Sequence, residues 1–407
     1  MSDLLKISLA FLLILVLLRK KLFIGYVMLI ASACLAALYK MGPESIAGTL
    51  RKSVLNSTTI KLLLALSLIR TFELILREKN VMSAMMSSVK GFFNNKKVVI
   101  ISMPLLIGML PSLGGAYFSA PMVKEATAGL KMSQEEKAFI NYWFRHPWEY
   151  ILPLYPGILL ASAVSGIPLY SLIFANMLCA VVLLAMGFIF SMRTVSQKTK
   201  AKDQDLDAAA PMKMQAKRFD WLSFLPVTAV LLLVIAARVE LHYALLAIIL
   251  SLFFVYRYGP REVFRVTKYG FALEVIVLII GIMIFKETME ASSAVRNLSS
   301  FFLEQGIPVL PILCLLPFIT GLLTGHTVGF VGSTFPLLIS ITGGASLSGI
   351  SLAFAAGFIG VLLSPVHLCL VLTRQYFKAD LWGVYRKIIP AGSFIFLAAF
   401  IEYLILK

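Results

Sequence analysis

Long apolar runs, each closed by charged or turn-forming residues, recur from one end of the chain to the other. Ten of them read as membrane-crossing helices: residues 4–18, 22–40, 60–77, 139–163, 168–191, 220–237, 241–257, 270–286, 348–374 and 388–405. Two further stretches, about 98–129 and 307–342, are interrupted in the middle by Pro, Gly and small hydroxyl residues. They predict re-entrant hairpins, because irregular backbone at membrane depth is tolerated only inside protein or beside a cavity. In the first run the apolar core Ile7–Leu18 is followed by Arg19, Lys20 and Lys21 with no small-residue cleavage site, so it reads as a retained span and not as a signal peptide.

A polar, charge-mixed segment, residues 193–218, divides the pattern into halves 1–192 and 219–407 and reads as a linker. The halves share a punctuation. Pro104–Leu110 (PLLIGML) and Pro317–Leu323 (PFITGLL) both read Pro-x3-Gly; Pro121 and Pro336 follow at 17 and 19 residues, and Pro147 and Pro365 after a further 26 and 29. Each half then holds three spans, a hairpin, a proline-broken span and a closing span. Five spans is an odd number, so the second copy enters the membrane upside down. The expected fold is an all-α polytopic membrane protein of ten transmembrane helices plus two re-entrant hairpins in two inverted-topology repeats.

Composition sharpens this picture. The 407 residues are 59% apolar and 14% charged with mean hydropathy +0.90, and ten spans leave no room for a separate soluble domain. The net charge of +17 raises the question of nucleic acid, but Lys and Arg are scattered between apolar runs with no basic stripe or nucleic-acid motif. Membrane orientation accounts for them. With the N-terminus outside, inside loops carry 26 Lys and Arg and outside segments eight, so both termini are expected outside and the 193–218 linker in the cytoplasm of a cell whose plasma (inner) membrane holds the chain. The four cysteines sit inside apolar runs without metal-ligand spacing and read as small buried hydrophobes; no metal site is expected from them.

The stretch LPSLGGAYFSAPMVKEA, followed by NYWFRHPWEYILPLYP, resembles the family catalogued as domain of unknown function 401. Paired hairpins and interrupted helices resemble the wider ion transporter superfamily, which includes divalent-anion/sodium symporters and the citrate and gluconate permeases. The resemblance implies an elevator-type carrier, a homodimer, with its site at the hairpin tips and helix breaks. The Ser-Asn-Thr hairpin signature of the sodium-coupled dicarboxylate branch is absent, since no Asn lies between Ser102 and Lys131 or between Ile307 and Ser340.

The first tip, Leu110–Ser119, offers Ser112, Gly114, Gly115 and Ser119; the second, Thr324–Thr334, offers Thr324, His326, Thr327, Gly329, Ser333 and Thr334. Glycine allows close approach of backbone to a ligand, and hydroxyls can bind an ion or an anion's oxygens. For any one hydroxyl, a bond to its own helical turn competes with that role. At the breaks, Arg145-His146-Pro147-Trp148-Glu149 is matched in the second half by Leu363-Ser364-Pro365-Val366-His367, and aligning the prolines sets Glu149 opposite His367 in the repeat. Proline at a new helix start, with Ser364 as its cap, would aim free N–H groups at an anion. Arg145 is a candidate substrate clamp or a snorkelling residue. Glu149, His367 and His146 are candidates for proton coupling, against an ion pair of Glu149 with Arg145 or Arg374 and packing roles for His367 and His326. Arg70 and Glu73 are expected to neutralise each other, and His242, beside Arg238 and Glu240, is expected in solvent.

These residues predict a secondary active transporter (a symporter) of a small anionic, carboxylate-like metabolite, not an enzyme. It is driven by an ion gradient, H+ ahead of Na+, with no other cofactor, no nucleic-acid partner and the lipid bilayer around it. The rivals are an intramembrane metal-dependent enzyme, with His146, Glu149, His326 and His367 assembled as ligands, and an anion channel.

Overall fold

The computed structural model describes residues 3–81, 83–85, 88, 96–111, 115–192, 221–292 and 308–406, and among these the regular structure is entirely helical. The first half runs α1 (Asp3–Arg19), α2 (Ile24–Leu38), α3 (Pro43–Leu55), α4 (Ser57–Glu78), α5 (Lys96–Gly108), α6 (Gly115–Ala126), α7 (Gln134–Trp143), α8 (Trp148–Ile151), α9 (Pro156–Ser165) and α10 (Leu169–Met192). The second runs α11 (Leu225–Leu231, continued by a π-helical turn at Leu232–Ala236), α12 (Leu241–Val255), α13 (Pro260–Gly270), α14 (Leu273–Ala291), α15 (Leu310–Thr324), α16 (Thr327–Ile341), α17 (Leu347–Leu363), α18 (Leu368–Phe377) and α19 (Leu381–Leu406). Among the described residues four helical stretches, Leu169–Ser191, Pro260–Ala291, Leu347–Phe377 and Leu381–Leu406, are long and apolar enough to cross a membrane, and shorter apolar helices accompany them. Their outer stripes are built for lipid. Leu246, Leu250 and Phe254 of α12, and Leu397, Ile401 and Ile405 of α19, recur at helical spacing as exposed side chains, a continuous apolar face that water would not tolerate.

Helix ends follow from local chemistry. At α7, Ser133 Oγ accepts from Glu136 N at 3.2 Å while Glu136 Oε2 accepts from Ser133 N at 2.9 Å, a reciprocal cap. Asn56 ends α3 and caps α4, its Oδ1 accepting from Thr58 N at 2.8 Å. Both α3 and α13 begin with proline at the first turn. Neither was expected from the hydropathy pattern: both are polar helices between spans, and their boundaries are set by capping residues and not by apolar length.

Packing pairs elements across the halves. Helix α2 lies on α14 and α12 on α4; α3 lies on α14 and α13 on α4; α9 lies on α16 and α18 on α6. The helix pairs α5–α6 and α15–α16 each fold back on themselves as hairpins. Pro104 and Pro317 fall inside the first helix of each hairpin and Pro121 and Pro336 inside the second.

Several charged expectations change. Glu73 pairs with Arg77 at 3.7 Å, one helical turn on, and Arg70 reaches Glu274 at 4.0 Å and the ring of Tyr269, so each has a nearer partner than the other, although the Arg70 charge still acts on Glu73. His242 is buried against Tyr243 and Glu240 and not solvated. At the polar end of α4, Arg265 donates to both Glu78 oxygens at 2.5 and 2.9 Å and holds that carboxyl below its usual value. A lowered carboxylate contributes stability at neutral pH that is lost as pH falls through about 4 and below. Acid melting curves of Arg265→Gln should therefore be flatter over that range than those of the parent, with little difference at low pH; parallel curves would show that the pair contributes nothing.

Candidate functional site

The first break is a consequence of proline. Pro147 ends the turn after Trp143, and Pro153 and Pro156 remove two more backbone donors, so the span expected at 139–163 is interrupted twice and spans residues 134–165 in three pieces. Aromatic donors pin this irregular segment to its surroundings. Trp148 Nε1 donates to Leu105 O at 2.7 Å, Tyr155 Oη donates to Gly108 O, and Tyr142 Oη donates to Leu362 O at 3.0 Å. Gly108, at the end of α5, meets the break so closely that an added Cβ would lie 2.8 Å from Arg145 Cα.

At the second break α17 ends at Leu363 and α18 begins only at Leu368, with His367 at its N-cap. Pro365 therefore does not open the new helix. Ser364 is the C-cap of α17, its Oγ accepting from Val366 N at 3.4 Å, and not the cap of a helix starting at Pro365. The adjacent hairpin turns at Gly325 with φ +65°, and Gly325 O accepts from His367 Nδ1 at 2.6 Å.

The two breaks meet. His146 Nε2 lies 3.1 Å from His367 Nε2 and 3.8 Å from Glu149 Oε1, and Cys369 joins the pair of imidazoles within 4.8 Å. His146 and His367 are buried, as is Arg145, whose Nε and Nη1 have no hydrogen-bond partner among the described residues. Arg145, His146, Glu149 and Cys369 line a cavity of about 910 Å³, within the size that holds a small metabolite. Its other walls come from the second hairpin tip and from Arg19, Arg70 and Arg77.

Of the residues chosen from sequence, Thr324, His326, Thr327 and Gly329 also line this cavity. Ser119, Ser333 and Thr334 do not: each is buried and donates to a carbonyl three or four residues back, Ser119 to Gly115 O and Ala116 O, Ser333 to Gly329 O, Thr334 to Phe330 O. Gly115 is buried at the start of α6. Ser112 and Gly114 lie outside the described residues. The expected Glu149 ion pair with Arg145 or Arg374 gives way to His146 as the near partner, while Arg374 Nε donates to Ala379 O at 3.4 Å. Cys369 was missed. Its signal was the spacing His367-x-Cys369 directly after a proline break, which places a thiol one step into the new helix.

The family of proteins of unknown function DUF401 matches residues 2–406. The chain belongs to the DUF401 family. Family membership covers nearly the whole chain, so the hairpins, the breaks and the cavity all lie within the matched region. Among curated proteins, none matches the chain.

Proposed function

We propose that the protein is a secondary carrier of a small carboxylate-like anion, working by alternating access. The observation that carries this reading is Arg145: a guanidinium with two nitrogens unpartnered, buried beside a metabolite-sized cavity. Among the described residues no carboxylate comes within ion-pair distance of Arg145, and a buried cation so placed is costly; an anionic ligand entering the cavity would supply the partner. The hairpin tip at Thr324–Thr327 and Arg19 and Arg77 all line the cavity, and the charge rule puts those arginines at the cytoplasmic end, so in this reading it opens to the cytoplasm. Reciprocal packing of α9 on α16 and α18 on α6 supports an inverted repeat, in which both hairpins and both broken spans form one moving unit against α1–α4 and α11–α14. With no nucleotide-binding motif in the sequence, accumulation draws on an ion gradient.

Inverted topology has a direct test. Ala128 follows the first hairpin and Ala345 the second, and both lie in loops. In a background with the native cysteines replaced, Ala345→Cys should react with an impermeant maleimide added to intact cells and Ala128→Cys only after lysis. Labelling of both from the same side removes the inverted repeat. The anion reading is tested by melting the detergent-purified protein with citrate, succinate, gluconate and sulfate: at least one should raise the midpoint in a saturable way, and none doing so would count against it.

A further inference from the structure

The two histidines that join the breaks are held in a way that fixes their protons. His146 Nδ1 lies 2.6 Å from Tyr142 O and His367 Nδ1 lies 2.6 Å from Gly325 O. A carbonyl oxygen only accepts, so each neutral imidazole carries its hydrogen on Nδ1 and turns an Nε2 lone pair outward. Those lone pairs face each other at 3.1 Å. Two acceptors at hydrogen-bond distance repel unless a cation lies between or beside them.

We propose that this cation is a transition-metal ion, zinc by chemistry, held by His146 Nε2, His367 Nε2 and Cys369 Sγ. For a tetrahedral zinc, the usual Zn–N and Zn–S lengths put two nitrogens about 3.3 Å apart and nitrogen about 3.6 Å from sulfur. The imidazole Nε2 atoms are already near that spacing, and the three residues each bring a ligand atom within 4.8 Å of the others. The surroundings have the form a metal site needs. Each histidine donates its other ring hydrogen to a backbone carbonyl, the outer contact that orients an imidazole ligand. Both imidazoles are buried, which protects the ion from water.

A shared proton, or the Cys369 thiol hydrogen-bonded to His146, would also relieve the lone-pair conflict, but a thiol gathered with two imidazoles is the donor set that selects zinc over harder ions. Glu149, 3.8 Å from His146 Nε2 and on the cavity wall, lies outside this trio of donors and supplies a neighbouring carboxylate. With the Cys369 thiolate bound and the Glu149 carboxylate beside it, the charge of the zinc is balanced, so Arg145 keeps its charge for a cavity anion. The ion would bind one ligand from the first break and two from the second, and so would tie the two halves together.

Metal binding is measured without transport, so it can fail independently of the carrier reading. Protein purified in detergent, loaded with zinc and dialysed, should retain about one equivalent by elemental analysis. After chelation and cobalt(II) loading it should show visible d–d bands and a near-ultraviolet thiolate charge-transfer band. Cys369→Ser should lose the charge-transfer band, His146→Gln and His367→Gln should weaken retention at least tenfold, and His326→Gln, at the cavity but outside the ligand set, should bind as the parent does. Should the ligand variants not fold, the parent decides: chelation should lower its melting midpoint and one equivalent of zinc restore it. Retention below a tenth of an equivalent without a cobalt spectrum, or a charge-transfer band that survives Cys369→Ser, overturns the proposal.

Discussion

Arg145→Met should yield a protein that melts higher than the parent and no longer responds to anions. The parent keeps a guanidinium buried with Nε and Nη1 unpartnered, and taking such an ion out of water without full compensation costs on the order of several kcal/mol, which an apolar side chain of similar volume avoids. Methionine fills the space of the side chain's stem and removes the charge. The anion-induced rise in melting midpoint should vanish in the same sample, because the cation that the ligand neutralises is gone. The opposite pair of results, a lower midpoint with the anion response intact, would mean that Arg145 is held by groups that matter for folding and is not the binding group.

Gly325→Ala should be among the most damaging single-methyl additions in the chain. Its φ of +65° is left-handed, which costs an ordinary residue about 1–2 kcal/mol. In addition, the new Cβ would lie 2.9 Å from His367 N and 3.0 Å from His367 Cα. Those are backbone atoms and cannot rotate away, so the hairpin must part from the second break, at a further cost of about 1–3 kcal/mol. The carbonyl that accepts from His367 Nδ1 moves with it. Gly129→Ala is the matched control, since its φ is +76° but nothing lies within 4 Å of an added Cβ. Urea or thermal unfolding in detergent should therefore rank Gly325→Ala well below Gly129→Ala; equal losses would mean that the tip is not locked to the break.

Much of this architecture was legible because apolar length and proline position are written locally. The Pro104/Pro317 and Pro121/Pro336 pairs fall on equivalent helices, and Arg145, His146 and Glu149 stand out as ionisable groups in apolar sequence. Three kinds of information were not local. The polar helices α3 and α13 are set by caps and by packing on α14 and α4, which hydropathy does not see. The second interruption at Leu152–Tyr155 depends on Pro153 and Pro156 acting together, and a window long enough to find a span averages over it. Side-chain direction is the third: Ser333 and Thr334 look like ligands in a glycine-rich tip, yet each is satisfied by its own turn, while Cys369, which looks like a small apolar residue, lies beside two imidazoles from opposite halves.

The carrier reading stands or falls on flux through the Arg145 cavity. Protein reconstituted into liposomes, preloaded with whichever of citrate, succinate, gluconate or sulfate most raises the melting midpoint, should exchange it for external radiolabelled anion with saturation kinetics. The same liposomes bearing Arg145→Met should show only the background of empty vesicles. Exchange that does not saturate, that proceeds unchanged in Arg145→Met, or that is absent from the parent would contradict the account.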